Sequence, residues 1–227
     1  MKYFFLGYSI NKKDVGVFPQ CIDSKNLPPI QEFGLGFYEK IDKELILPEP
    51  IIRNSAILTN ILSTVIDSSI FLVTDDDLLN FMVNFNINYY QTWKLKTVYK
   101  GKAIDKYNLF HLSVPSWEII NFEKTIFKVK DINSNILKEK KYQNSKEYQD
   151  EWKKLIWEGS VITFDVLYLD FSKLNKDLIR IIDIDSVGIG YYVSEKLKTA
   201  IEKEGFTGFA FQEIEEMDDR IKCIYQS

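Results

Sequence analysis

The chain is 227 residues long, 45% of them hydrophobic and 15% aromatic, with a formal net charge of −4 and a pI near 5.3. That much Phe and Tyr excludes a disordered chain and provides for a large core. The acidic balance disfavours sequence-independent nucleic-acid binding, which needs a basic surface to displace counterions. With only Cys21 and Cys223, a disulfide framework is not expected, and a reducing compartment is the simpler reading.

Residues 2–8 read as a first strand. The apolar run there is broken by Gly7 and Ser9 and no small-residue cleavage site follows, so no signal peptide is expected. No apolar run approaches the roughly 18 residues of a membrane span, so the expectation is a cytoplasmic protein with no membrane contact. Residues 19–50 hold Pro19, Pro28, Pro29, Pro48 and Pro50, all but one of the prolines, together with Phe33-Gly34-Leu35-Gly36-Phe37. This region reads as irregular or as short edge pieces. A helix is expected from Asn54 or Ser55, with Ile57, Leu58, Ile61, Leu62 and Val65 on one face. Asp75 is placed to cap a second helix that buries Leu78, Leu79, Met82 and Val83.

Residues 93–130 read as a β meander: Trp93–Tyr99, a turn at Lys100-Gly101, Tyr107–Val114, then pieces around Trp117–Phe122 and Thr125–Val129. The polar stretch 131–144 reads as a mobile loop. Ser145 can cap a helix with Tyr148, Trp152, Leu155 and Ile156 on its apolar side, closing near Gly159. Val161–Leu169 reads as one strand with Ile162, Phe164, Val166 and Tyr168 on one face, and Leu178–Ile182 as another. No internal repeat or low-complexity linker is seen. The pattern predicts an α+β fold: a mostly antiparallel sheet with several packed helices, in a single domain spanning 1–227 or in two subdomains with a junction near residues 85–92.

The most informative stretch is Tyr191 to Phe211, YYVSEKLKTAIEKEGFTGFAF. Tyr191, Tyr192 and Val193 read as a strand end. Ser194 is a helix N-cap whose hydroxyl can accept from an orphan backbone N–H, and Glu195 sits at the positive end of the helix dipole. Leu197, Ala200 and Ile201 form the apolar face. Gly205 fits the left-handed C′ position, with Phe206 able to touch Ile201. Phe209 and Phe211 then point to one side of a following strand. The expectation is a C-terminal strand–helix–strand unit.

That string, Ser-Glu-x-Leu-Lys followed by a short helix and Gly-Phe-Thr-Gly-Phe, resembles the C-terminus of a family of immunity proteins from bacterial polymorphic toxin systems, over about residues 189–214. A looser similarity covers Tyr107-Asn108-Leu109-Phe110-His111, Ile119-Ile120-Asn121-Phe122 and Thr125-Ile126-Phe127. The family's pattern there is nearer an aspartate followed by a serine, where this chain has Asn121 and Thr125. The resemblance implies a non-enzymatic protein that binds a cognate toxin domain and neutralises it by occlusion, without a cofactor or metal. Many toxin domains of such systems act on nucleic acid and carry basic clefts.

Motifs for catalysis are sparse. His111, the sole histidine, lies in a strand pattern and reads as a hydrogen-bonded strand residue before a general base. Thr74-Asp75-Asp76-Asp77 and Asp183-Ile184-Asp185 could offer oxygen ligands to Mg²⁺ or Ca²⁺, but neither has the glycine and distal glutamate of an EF-hand loop. Gly34-Leu35-Gly36 and Gly188-Ile189-Gly190 lack the third glycine of a dinucleotide fingerprint. Lys138-Glu139-Lys140-Lys141 reads as a solvated surface. The densest negative charge is Glu213, Glu215, Glu216, Asp218 and Asp219, directly after the strand–helix–strand unit. It reads as a surface turn or, more sharply, as a patch that captures basic side chains of a toxin, since charge complementarity speeds encounter. A metal-dependent hydrolase built on the aspartate clusters and a small-ligand binding module are the rival readings.

Overall fold

Strands that bury both faces read as continuous apolar runs, and strands with one wet face alternate. Both kinds occur here. The computed structural model describes residues 1–25, 40–42, 44–64, 66, 70–113, 116–181 and 190–225. In chain order the elements are β1 (Tyr3–Tyr8), α1 (Lys12–Val15), β2 (Cys21–Lys25), β3 (Glu49–Ile52), β4 (Ile61–Leu62), β5 (Leu72–Asp75), α2 (Asp76–Met82), β6 (Tyr90–Lys94), β7 (Thr97–Tyr99), β8 (Lys102–Ile104), β9 (Tyr107–Leu112), a 3-10 turn (Trp117–Ile119), β10 (Phe127–Lys130), β11 (Ile136–Lys140), α3 (Ser145–Trp157), β12 (Val161–Phe164), β13 (Leu167–Asp170), β14 (Leu178–Ile181), β15 (Gly190–Ser194), α4 (Glu195–Glu204), β16 (Phe209–Glu213), α5 (Ile214–Met217) and β17 (Ile221–Ile224). Pairing is antiparallel except between β3 and β7 and between β13 and β17. The fold is mixed α+β with mostly antiparallel sheets.

Three cores lie in series. The sheet β14-β15-β1-β16 has one at each face. On one side Tyr3, Tyr192, Ile179 and Ile181 meet the sheet β11-β10-β12, the pair β13-β17, and Tyr148, Trp152 and Leu155 of α3. On the other side Phe4, Leu6, Tyr191 and Val193 meet Leu78 and Met82 of α2, Leu197 and Ile201 of α4, and Phe110 and Leu112 of the sheet β4-β5-β9-β6. The far face of that third sheet, with Leu62, Val73, Tyr107 and Leu109, packs on Cys21 and Ile52 of β2-β3-β7-β8. Every residue of β5, β9, β14 and β15 is buried, which is why LVTD, YNLFHL, LIRI and GYYVS show no clean alternation. Phe85 and Ile87, within the stretch 85–92, pack against the second core, and Ile87 bridges Leu178.

Four local expectations are corrected. The helix from Asn54 or Ser55 does not form; a turn at 54–55 leads to β4. Ile61 and Leu62 point into different cores, and Ile57 is exposed, so their helical spacing is coincidental. Val65 lies outside the described residues. The stretch 131–144 holds β11, paired with β10 across a turn that Asp131 organises by accepting from the backbone N–H groups of Asn133 and Asn135. Val161–Leu169 is two strands, and the buried set shifts from Ile162 and Phe164 to Leu167 and Leu169 across Asp165-Val166. Trp93–Tyr99 is split between β6 and β7, which belong to different sheets. One cap also moves by a residue: Ser145 is the first residue of α3, and Asn144 caps it by accepting from the Glu147 N–H at 3.0 Å. The Phe33–Phe37 stretch, Pro28 and Pro29 lie outside the described residues.

Candidate functional site

The strand–helix–strand unit forms as its sequence dictates. Ser194 Oγ accepts from the Leu197 N–H at 3.1 Å, and Gly205 adopts the left-handed conformation at φ 76° that ends α4. The Phe206 N–H returns to the Ile201 carbonyl, and Phe209 and Phe211 stack with ring centroids 5.7 Å apart. Thr207 and Gly208 then turn the chain. Gly208 sits at φ 96°, and a Cβ there would lie 2.8 Å from Thr59 Oγ1. Lys198 spans the rings of Phe4 and Phe211 at 5.2 and 5.6 Å.

Of the five carboxylates, Glu213 ends β16, Glu215 and Glu216 lie outside on α5, a single turn whose Ile214 is buried in the first core, and Asp218 and Asp219 follow it. The structure divides them. Glu213 pairs with Lys2 at 2.6 Å. Glu215 Oε1 accepts from the Cys223 N–H at 3.1 Å. Asp218 takes Nε and Nη2 of Arg220 in a two-pronged contact, 3.0 and 2.8 Å, and also the Arg220 N–H at 2.8 Å. Those Arg220 contacts hold its carboxyl below the usual range. Glu216 and Asp219 are exposed; Glu216 adds to the negative field at Lys2, and Asp219 hydrogen-bonds Asp218. Glu213 and Asp218 are thus offset by cations, whereas Glu215, Glu216 and Asp219 keep exposed negative charge.

Asp75, Asp76 and His111 have partners in the fold. Asp75 caps α2 through the Leu78 N–H at 3.0 Å and accepts from Asn60. Asp76 is bonded by Asn108 and by Lys94, which hold its carboxyl low. His111 is fully buried, with Nδ1 3.2 Å from the Ile70 carbonyl and its ring against Phe71. Burial pushes the Cys21 thiol up to about 12 and the Cys223 thiol to about 11, so little thiolate exists at neutral pH. Among the described residues no three His, Cys, Asp or Glu side chains converge to hold a metal ion. Asp183, Asp185, Gly34, Gly36 and Gly188 lie outside those residues. No described helix is long and apolar enough to cross a membrane.

Asn121 and Thr125 do work that an aspartate and a serine could also do. Asn121 Oδ1 accepts from the Lys124 N–H at 3.0 Å, and Thr125 Oγ1 accepts from the Tyr168 N–H at 3.1 Å. Sequence reasoning missed Asp177. It is buried at the start of β14 and accepts from Ser194 Oγ, Lys196 Nζ and the Asn86 N–H at 2.8, 3.0 and 3.1 Å. Its partners are remote in sequence, so no local signal marks it. Neither models of known protein families nor curated protein sequences give a match to this chain.

Proposed function

We propose that this protein is a non-enzymatic immunity protein that binds and neutralises a cognate bacterial toxin domain. The observation that supports this reading most is the adjacency of two features. The stretch that resembles the immunity family folds as one capped strand–helix–strand unit, and three exposed carboxylates, Glu215, Glu216 and Asp219, stand on the surface directly after it. A basic cleft on a toxin would be drawn to such charge, and encounter rates rise with complementary fields. Because Glu213, Glu215 and Asp218 are held by Lys2, Cys223 and Arg220, they present an already ordered surface. A specific complex would bury on the order of 1,600 Å² in all, far more than α5 offers, so neighbouring aromatic surface must join it.

The test is co-expression and binding with the toxin domain encoded by the adjacent gene. Nanomolar binding and protection of cells are expected. In Glu216→Lys/Asp219→Lys the association rate at low salt should drop about tenfold, with a weaker salt dependence. A protein that engages no adjacent toxin domain, yet hydrolyses a substrate when metal is added, overturns the proposal.

A further inference from the structure

A cleft of about 450 Å³ opens between the 3-10 turn with its following segment, the N-terminal end of α3, and the chain beyond β13. That size lies within the roughly 300–1,000 Å³ of small-ligand sites. Its apolar part is Trp117, Ile120 and Phe122; the Trp117 ring packs on Tyr148 at 5.7 Å and Phe122 on Phe127 at 5.9 Å. Three carboxylates line it, Glu118, Glu123 and Asp170, against one cation, Lys173. Asp170 Oδ1 is engaged by the Ser172 N–H and hydroxyl at 2.9 and 2.5 Å, which orients the carboxylate. Asn121 and Asn144 also line the cleft, and each spends its side-chain oxygen on a backbone N–H at 3.0 Å. Their amide NH₂ ends remain to donate.

Part of the wall is tied to β13. The Asn121 N–H donates to the Tyr168 carbonyl at 2.9 Å, and Ile120 bridges Leu169. A site fixed in this way loses little freedom on binding.

We propose that this cleft binds an arginine-type side chain together with its own peptide carbonyl. A planar guanidinium can lie on an aromatic face while forking to carboxylates, which an ammonium cannot match. Glu118, Glu123 and Asp170 receive the cation, and the NH₂ groups of Asn121 and Asn144 donate to the carbonyl. The occupant is therefore an arginine within a polypeptide, and its identification with a toxin segment rests on the proposed function. This site has a different lining from the segment 213–219, so the two are separable.

The experiment titrates the full chain with N-acetyl-arginine amide and follows the Trp117 indole N–H resonance by NMR, assigned with Trp117→Phe. Saturable movement is expected, at least tenfold weaker with the neutral isostere N-acetyl-citrulline amide and at least fivefold weaker in Glu118→Gln/Glu123→Gln. Both glutamates are exposed, so the variant should fold, and an unchanged amide spectrum elsewhere checks this. Equal response to the citrulline amide, no movement, or undiminished binding in the double variant overturns the site. Free arginine, which lacks the peptide carbonyl, binding as tightly as an arginine-centred pentapeptide amide overturns the proposal; a tighter peptide supports it. Arginine amide binding in a protein that engages no adjacent toxin domain upholds the cleft and removes the immunity reading alone.

Discussion

Asp177→Ala should be among the most damaging single substitutions outside the apolar cores. The carboxylate is 3% exposed and serves three donors from two separate parts of the chain. Removing it strands the Ser194 hydroxyl, itself fully buried, and the Asn86 N–H. The stranded buried hydroxyl costs about 2 kcal/mol, and the N–H of the exposed Asn86, which can regain water, adds about 1 kcal/mol. The Lys196 ammonium is 64% exposed and returns to water, so it adds well under about 1 kcal/mol. The expected loss is about 3 kcal/mol, or a fall of about 1 M in the urea midpoint at an m-value near 3 kcal/mol/M. Asp177→Asn retains one acceptor oxygen and should lose about half as much. Ser194→Ala should cost about 1 kcal/mol as a lost cap, and its effect should be less than additive with Asp177→Ala, because the two share a bond. Equilibrium urea unfolding followed by tryptophan fluorescence measures the wild type, the three single variants and the double variant. A midpoint shift under about 0.3 M for Asp177→Ala, or strict additivity with Ser194→Ala, would refute the shared-hub reasoning.

Other outcomes follow from single observations. Gly208→Ala should destabilise far more than Gly205→Ala: both glycines have positive φ, but a Cβ at 208 meets Thr59 and the Ile61 carbonyl while one at 205 meets nothing, which leaves the latter near the roughly 1–2 kcal/mol of left-handed strain alone; thermal melts of the pair decide it. Leu197→Ala empties a fully buried site in the second core and should cost about 3 kcal/mol in the same urea assay. Asp218 has a folded-state pKa depressed by Arg220, so its pair stabilises above the ordinary carboxylate range and the gain is lost as pH falls through the depressed value; the stability gap between wild type and Asp218→Asn should close between about pH 5 and pH 2, and a gap that stays constant refutes the pairing. Both thiols should react slowly with a disulfide reagent at neutral pH, since burial raises Cys21 and Cys223; labelling at the rate of a free peptide thiol would contradict that.

What the sequence makes legible here is what lies within one turn or one strand of its cause. Ser194, Gly205 and Asp75 act on neighbours three or four residues away, and each sits where local chemistry predicts. The helix expected near residue 55 fails for a non-local reason. Adjacent residues Ile61 and Leu62 serve two cores on opposite sides of one short strand, and a one-sided periodicity argument has no way to represent that. The shift across Asp165-Val166 hides likewise, because β12 and β13 answer to different partners, β10 and β17. Asp177 is bonded to a residue 91 positions away. The same distinction governs the acidic segment. In sequence Glu213, Glu215, Glu216, Asp218 and Asp219 are one block of charge. In the fold, Lys2 arrives from the far end of the chain to offset Glu213 and Arg220 doubles back on Asp218, while Glu215 meets only the neutral Cys223 N–H and keeps its charge. The count of acidic residues sets how much negative charge the segment carries, but tertiary pairing sets how much of it a partner meets. Charge reversal at 216 and 219 should therefore alter association without touching the fold, whereas reversal at 213 or 218 should disturb stability first.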